Sequence, residues 1–283
     1  MKAEPSTRVI FSRLAPDYER ASFLERASGE RLLDMLAVGP KDVVLDLGCG
    51  PGHLTRSIRG RTNGRLVGVD ASAGMVAQAR WNTRGLGITY QVCLAEDLDF
   101  DRTFNLIFCN STLQWLTSPY RAVENCFRAL RRGGWLGVQA PATAHWCSLA
   151  GEVAAAAASD PRTRTMFAHF RDPMFLLPTV ADYTEVFTSV GFDVHDAWLE
   201  METTRHTRAE ALSLFETMAG AAYLNPDSYT DADMAPDPAP DQAGIEALRD
   251  VASDTIAILA AADGFVEVTV HRLYLFAVKP LVA

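Results

Sequence analysis

No two cysteines in this sequence stand at C-x-x-C spacing, and the five present, Cys49, Cys93, Cys109, Cys126 and Cys147, make an odd number. Neither a disulfide framework nor a zinc site is encoded, so no metal is expected. Reduced thiols suit the cytoplasm. A block of Lys and Arg is also missing, and 35 acidic against 26 basic side chains leave a formal charge of −9. That balance argues against duplex nucleic acid and anionic membrane surfaces as partners, leaving room only for a local basic pocket. No apolar run is long enough to span a bilayer, and the start, MKAEPSTRVIFSRL, lacks the apolar core of a signal peptide. There is no internal repeat.

What is present is a globular composition: 283 residues, 48% hydrophobic and 22% charged, enough for one large domain or a domain with an elaboration. From residue 42 onward strand-like and helix-like segments alternate. Strands are expected at 43–47, 66–69, 88–93, 104–109 and 135–139. Helices are expected at 53–59, 73–84 and 119–130, the last with Pro119 in its first turn. Short continuous apolar strands are those of a sheet covered on both faces, and helical crossovers make it parallel and right-handed. One helical segment is expected before Val38, and a helical stretch over 141–190. A strand follows at 192–203, a helix at 208–222, a proline-rich mobile loop at 223–240, a helix at 245–262 and a final strand at 266–278.

The most informative stretch is VVLDLGCGPG, where a buried-strand run breaks into glycines. Asp46, Gly48, Gly50 and Gly52 form D-x-G-x-G-x-G, which is neither G-x-G-x-x-G nor a P-loop. A strand, a glycine turn and a helix start make a ligand cradle, because a missing Cβ lets a ligand approach the backbone. Asp46 closes its strand, where open α/β sheets bind ligands, and puts a negative charge where an ammonium is welcome. Asp70, followed by Ala71, closes the next strand and can accept both hydroxyls of a ribose; capping the following helix is its alternative use. Glu96 and Asp97 follow the third strand, placed to accept from an adenine amino group. An ammonium, a diol and an adenine together describe S-adenosylmethionine.

On these residues the sequence resembles the class I S-adenosylmethionine-dependent methyltransferases, in register over residues 10–140. The resemblance implies a seven-stranded, mostly parallel Rossmann-like α/β sheet with helices on both faces and a helical lid, its seventh, antiparallel strand being VTVHRLYLFAVK. It implies a cofactor core at 1–140, a lid at 141–190, and C-terminal strands at 191–283 with a helical insertion at 207–262. It assigns Tyr18, Asp46, Gly48, Gly50, Gly52, Asp70, Ala71, Glu96, Asp97 and Asn110 to the cofactor, with S-adenosylhomocysteine as product.

For the acceptor, Asn110-Ser111-Thr112 stands where amino-methylating relatives carry Asn/Asp-Pro-Pro-Tyr/Phe, which counts against that chemistry. Gln114-Trp115 and VQAP instead resemble the trans-aconitate and malonyl-carrier-protein O-methyltransferases. The resemblance implies a small carboxylic acid as partner, with Gln114 offering an amide donor and Trp115 an indole N–H. An anionic acceptor would want an arginine, and Arg162, Arg164, Arg171, Arg205 and Arg208 are available. Alternatively, the Ala-rich stretch at 153–158 with Phe167, Phe170, Phe175 and Tyr183 could line an apolar pocket. That pocket would take a bulkier natural product, a secondary metabolite methylated at oxygen or carbon, with His145, His169 or His206 as base. A non-catalytic nucleoside-binding protein on the same fold is the third reading. The oligomeric state stays open.

Overall fold

Val44–Leu47 (β1) is buried along its whole length, as its unbroken apolar character requires of a central strand. In the computed structural model, which describes residues 6–229, 242–260 and 263–281, this strand lies inside a seven-stranded sheet, third from one edge. The other strands are Leu66–Asp70 (β2), Thr89–Val92 (β3), Phe104–Asn110 (β4), Leu130–Pro141 (β5), Asp193–Thr207 (β6) and Phe265–Val278 (β7). Their spatial order is β3-β2-β1-β4-β5-β7-β6. β1 pairs in parallel with β2 and β4, β2 with β3, and β4 with β5, whereas β5 and β7 run antiparallel. The order reverses between β1 and β4, so the ends of those two strands open the crevice in which such sheets bind ligands.

Two compact units are distinguished. The larger comprises residues 15–144, 175–200 and 271–283. Its helices include Phe23–Leu36 (α2, preceded by Ser6–Ala21, α1), His53–Arg61 (α3), Ala73–Asn82 (α4), Pro119–Ala129 (α5) and, later in the chain, Val180–Thr188 (α8). Alternation along the strands sends Val44, Leu106, Phe108, Tyr274 and Phe276 to one face, under Leu32 and Leu33 of α2 and Leu54 and Ile58 of α3. The opposite face carries Leu45, Leu47, Ile107, Val138 and Leu275 against Val123 and Cys126 of α5 and Val186 and Phe187 of α8. Both faces are therefore dry, which is what makes the strands continuously apolar.

The expected single N-terminal helix is two helices. The chain breaks at Ser22, whose backbone N–H and hydroxyl both return to the Tyr18 carbonyl, at 2.8 and 2.6 Å. Pro119 does occupy the first turn of its helix.

The smaller unit comprises residues 1–14, 145–174 and 201–270, so the expected insertion at 141–190 is divided between the two units. It holds Ser148–Ser159 (α6), Arg164–Phe167 (α7), Arg208–Met218 (α9), Gly220–Tyr223 (α10) and Gln242–Leu259 (α11). Phe167 and Phe170 stack on one another, and both meet the edges of Tyr223 and Tyr229. Of the proline-rich segment, 226–229 is a short 3-10 helix and 230–241 lies outside the described residues. Among the described residues no helix is long and apolar enough to cross a membrane.

Candidate active site

The three motif glycines follow β1 with φ values of 74°, 51° and 88°, conformations that side-chain-bearing residues adopt only at a cost. Each is constrained differently. A Cβ on Gly48 would stand 1.9 Å from Thr112 Oγ1, in the segment after β4. One on Gly52 would press on Ala79 of α4 and the Tyr90 hydroxyl at 3.0 and 3.1 Å. At Gly50 a Cβ meets no atom of the described residues within 4 Å. The outer two glycines serve packing; the middle one keeps open space beside the backbone, which is what a bound nucleoside requires.

Asp70 is tied to this loop. Its Oδ2 accepts from the Gly50 N–H at 2.9 Å and its Oδ1 from the Ser72 N–H at 2.8 Å, across Ala71. Ser72, not Asp70, caps α4, accepting from Met75 N–H at 3.2 Å. Burial raises the Asp70 carboxyl, with those two N–H groups opposing. Asp46 shares the face of Val44 and is buried against α3, where Thr55 Oγ1 donates to its Oδ2 at 2.6 Å. Burial, opposed by Thr55 and reinforced by the charge on Asp70, pushes the Asp46 carboxyl up to about 7. Tyr18 of α1 belongs to the same group: its phenol is raised by burial and then by the charges on Glu25 and Asp70. The structure thus brings Tyr18, Asp46, Gly50 and Asp70 together.

The acidic pair after β3 divides. Glu96 is buried, and its Oε1 accepts from Thr117 N–H, Thr117 Oγ1 and Ser118 N–H at 2.8, 3.0 and 3.1 Å. It anchors the chain at the start of α5, a structural use of charge that the sequence reading had assigned to the cofactor. Asp97 is exposed, with Arg121 donating at 3.2 Å.

After β4 the backbone is strained: Ser111 has φ 51°, a left-handed conformation that costs a β-substituted residue on the order of 1–2 kcal/mol. Its N–H donates to the Gln139 carbonyl at 2.8 Å. Asn110 is buried; its Nδ2 donates to the Glu25 carbonyl at 3.0 Å, and its Oδ1 has no hydrogen-bond partner among the described residues. Gln114 is buried too. Its Nε2 donates to the Ser111 carbonyl at 3.0 Å, and the atom left without a partner among the described residues is the acceptor Oε1, not the donor expected from sequence. Trp115 is half-buried on the same short 3-10 turn.

The histidines and arginines singled out earlier lie in the smaller unit. His145 and His169 are exposed, and His206 is buried with its Nε2 2.6 Å from Thr204 Oγ1. Arg162 bridges Asp160 and Asp254, and Arg205 pairs with Asp263. Phe175 and Tyr183, in the larger unit, pack on one another, and the Tyr183 hydroxyl accepts from the Leu177 N–H at 3.0 Å. Missed by sequence reasoning are Glu25 and Ser28 of α2, Gln139 of β5 and Arg272 of β7, all buried around Asn110. The one available signal was polar side chains inside otherwise apolar strand runs.

The family model described as "Methyltransferase domain" matches residues 44–134. A trans-aconitate 2-methyltransferase from Methylobacterium nodulans is 31% identical over 190 residues, 65% of this chain and 67% of that protein. A malonyl-[acyl-carrier protein] O-methyltransferase from Marinomonas is 33% identical over 129 residues, 44% of this chain; the chain spans about half of that relative's length (48%). Among solved structures, geranyl diphosphate C-methyltransferase from Streptomyces coelicolor, in complex with Mg2+, geranyl diphosphate and S-adenosylhomocysteine, superposes with a TM-score of 0.51. It is 16% identical over 90% of this chain and 78% of its own, a likeness of fold. With the glycine cradle, the acid at the end of β2 and this sheet order, these relatives place the chain in the class I S-adenosylmethionine-dependent methyltransferase family.

Proposed function

We propose that this chain methylates a carboxylate oxygen of a small organic acid, using S-adenosylmethionine. The cofactor would lie on the open side of Gly50, its ammonium at Asp46, its ribose at Asp70 beside Ala71, its adenine near Asp97, with Tyr18 and Asn110 over the methionyl end. Bound there, it supplies a methyl group on a cationic sulfur that leaves as a neutral thioether. This chain's task is then to orient an acceptor, exclude water and, where needed, remove a proton. The lid role stays, within this proposal, with the segment 141–190.

The observation that carries the reading is the segment Asn110–Trp115, which presents amides, hydroxyls and an indole but no ionisable side chain. A carboxylate arrives deprotonated at neutral pH and needs no base. Relatives whose names specify trans-aconitate and malonyl acceptors support it. A second reading, methylation of a phenol or carbon acid of a bulkier natural product, draws on Glu25, whose carboxyl is raised by burial and whose Oε2 has no hydrogen bond among the described residues. The test is S-adenosylhomocysteine release with a panel of mono-, di- and tricarboxylic acids and phenols, products identified by mass. Methyl esters formed at a rate flat from about pH 6 to 8, with cofactor saturating, are expected. Turnover of phenols alone, falling on acidification and lost in Glu25→Gln, would transfer the assignment to the second reading.

A further inference from the structure

Gln114 is 4% exposed, and its amide has only one workable orientation. Its Nε2 lies 3.0 Å from the Ser111 carbonyl oxygen. Turned over, the amide would set Oε1 against that oxygen, two acceptors in contact, so the donor faces Ser111 and the acceptor faces away. Oε1 is buried and has no hydrogen-bond partner among the described residues.

The Ser111 carbonyl is itself held in place. Ser111 stands at φ 51°; its N–H donates to the Gln139 carbonyl at 2.8 Å and its Oγ to Gln139 Oε1 at 3.2 Å. Ser28 Oγ of α2 donates to the same Oε1 at 3.2 Å. The turn carrying Gln114 is closed by Trp115 N–H on the Thr112 carbonyl at 2.9 Å. It is tied again by Phe175 N–H on the Gln114 carbonyl at 2.8 Å. A strained backbone pinned at these points gives Oε1 a fixed direction. Asn110, four residues earlier, repeats the pattern: its Nδ2 is engaged by the Glu25 carbonyl, which leaves the acceptor Oδ1 outward.

A buried acceptor left unpaired is costly, and an anionic oxygen set against it is repelled. Only a group that gives a proton fits. A neutral donor suits it better than a cation, because Asn110–Trp115 contains no charged side chain.

Resting on the carboxylate reading above, we propose that Gln114 is a specificity residue that reads a hydroxyl on the methyl acceptor. The acid then carries, besides the carboxylate to be methylated, an O–H that donates to Gln114 Oε1. Such a site rejects the analogue that lacks the hydroxyl, because the buried acceptor is then left unpaired. The same polarity keeps the carboxylate off Oε1, so the recognised group and the reacting group are distinct. Asn110 Oδ1 stays, in that reading, with the methionyl end of the cofactor.

The test is calorimetric titration of the full chain, saturated with S-adenosylhomocysteine, with acids paired to differ by one hydroxyl. The pairs are lactate and propionate, malate and succinate, citrate and propane-1,2,3-tricarboxylate. In at least one pair the hydroxy acid should bind about 10- to 100-fold tighter. The acid with fluorine in place of that hydroxyl, having no proton to give, should bind no better than the deoxy acid. Gln114→Met, close in size and without the acceptor, should cancel the preference by weakening the hydroxy acid alone, with S-adenosylhomocysteine affinity near wild type. A merely structural role would weaken both acids of a pair and leave their ratio unchanged. Should Gln114→Met fail to fold, the wild-type comparison of hydroxy, fluoro and deoxy acids decides alone. The inference is overturned if no pair shows a preference, as a water alone at Oε1 would give, or if the fluoro acid binds as the hydroxy acid does. It is equally overturned if the preference survives in Gln114→Met, or if S-adenosylhomocysteine weakens in parallel, which would give Oε1 to the cofactor's ammonium. Methyl esters formed without regard to the hydroxyl would sink this inference and keep the proposed reaction. A hydroxyl preference that depends on Gln114, with no ester formed from any acid, would do the reverse.

Discussion

The two ends of the strand-end crevice are built in different ways. At β1 and β2 the groups are close in sequence: seven residues supply Asp46 and the three glycines, and one more strand supplies Asp70. At β4, β5 and β7 the groups are Asn110, Gln139 and Arg272, joined by Glu25 and Ser28 from a helix that precedes the sheet. The first end uses backbone conformation, which any chain must write locally as glycine. The second uses side-chain hydrogen bonds, whose partners need only be neighbours in space. A ligand common to many enzymes suits the first kind of site, and a ligand particular to one suits the second.

Substitutions in the glycine loop test this contrast most strongly. Gly48→Ala inserts a methyl into Thr112 and holds it at φ 74°. Overpacking and strain together should cost about 2–5 kcal/mol of stability, read from denaturant unfolding. Gly50→Ala meets no atom of the described residues, so it should cost only about 1–2 kcal/mol of stability while weakening S-adenosylhomocysteine by on the order of 10- to 100-fold. Equal stability losses with unchanged affinity would mean that both glycines serve only the turn. Next in size is Asp70→Ala, expected to weaken S-adenosylhomocysteine by about 2–4 kcal/mol. Calorimetry on the folded variant decides it, and unchanged affinity would leave Asp70 with only its bonds to Gly50 and Ser72.

Asp46 gives an effect of the same order or smaller that depends on pH. Its folded carboxyl stands at about 7, above the ordinary value near 3.9 that it takes when unfolded. Between those values the folded chain holds a proton that the unfolded chain has released, so stability falls as pH rises through that window, by at most about 1.4 kcal/mol per unit. A ligand ammonium favours the ionised form, so cofactor affinity should rise over the same window. Asp46→Asn should flatten both profiles. If the wild-type profiles run parallel instead of opposed, the ammonium does not sit at Asp46.

Legibility followed the same division. The succession of strands and helices, the glycine loop and the acid closing β2 were readable because period, apolarity and glycine placement are local signals. The break at Ser22 was missed because a helix carrying Pro16 in its interior gives no local reason to stop six residues later. The burial of Arg272 was not legible because HRLYLFAVK reads as an ordinary strand; it follows only from pairing with β5, more than a hundred residues earlier. Gln114 was placed on the right turn, but which end of its amide is satisfied depends on the strained carbonyl of Ser111.

The smallest expected effects separate two adjacent acids that sequence could not tell apart. Glu96 accepts three hydrogen bonds from Thr117 and Ser118 at the start of α5, where a negative charge also meets the positive end of the helix dipole. Glu96→Ala should therefore cost about 1–2 kcal/mol of stability and leave S-adenosylhomocysteine affinity unchanged. Asp97 is exposed and carries a surface pair with Arg121, which is worth about 0–1 kcal/mol. Asp97→Ala should hardly alter stability but, if the carboxylate accepts the adenine amino group, should weaken S-adenosylhomocysteine by roughly 1–2 kcal/mol. Unfolding curves and calorimetry on both variants give four numbers. The assignment holds only if stability is lost in one variant and affinity in the other; both losses in Glu96→Ala would return that residue to the cofactor.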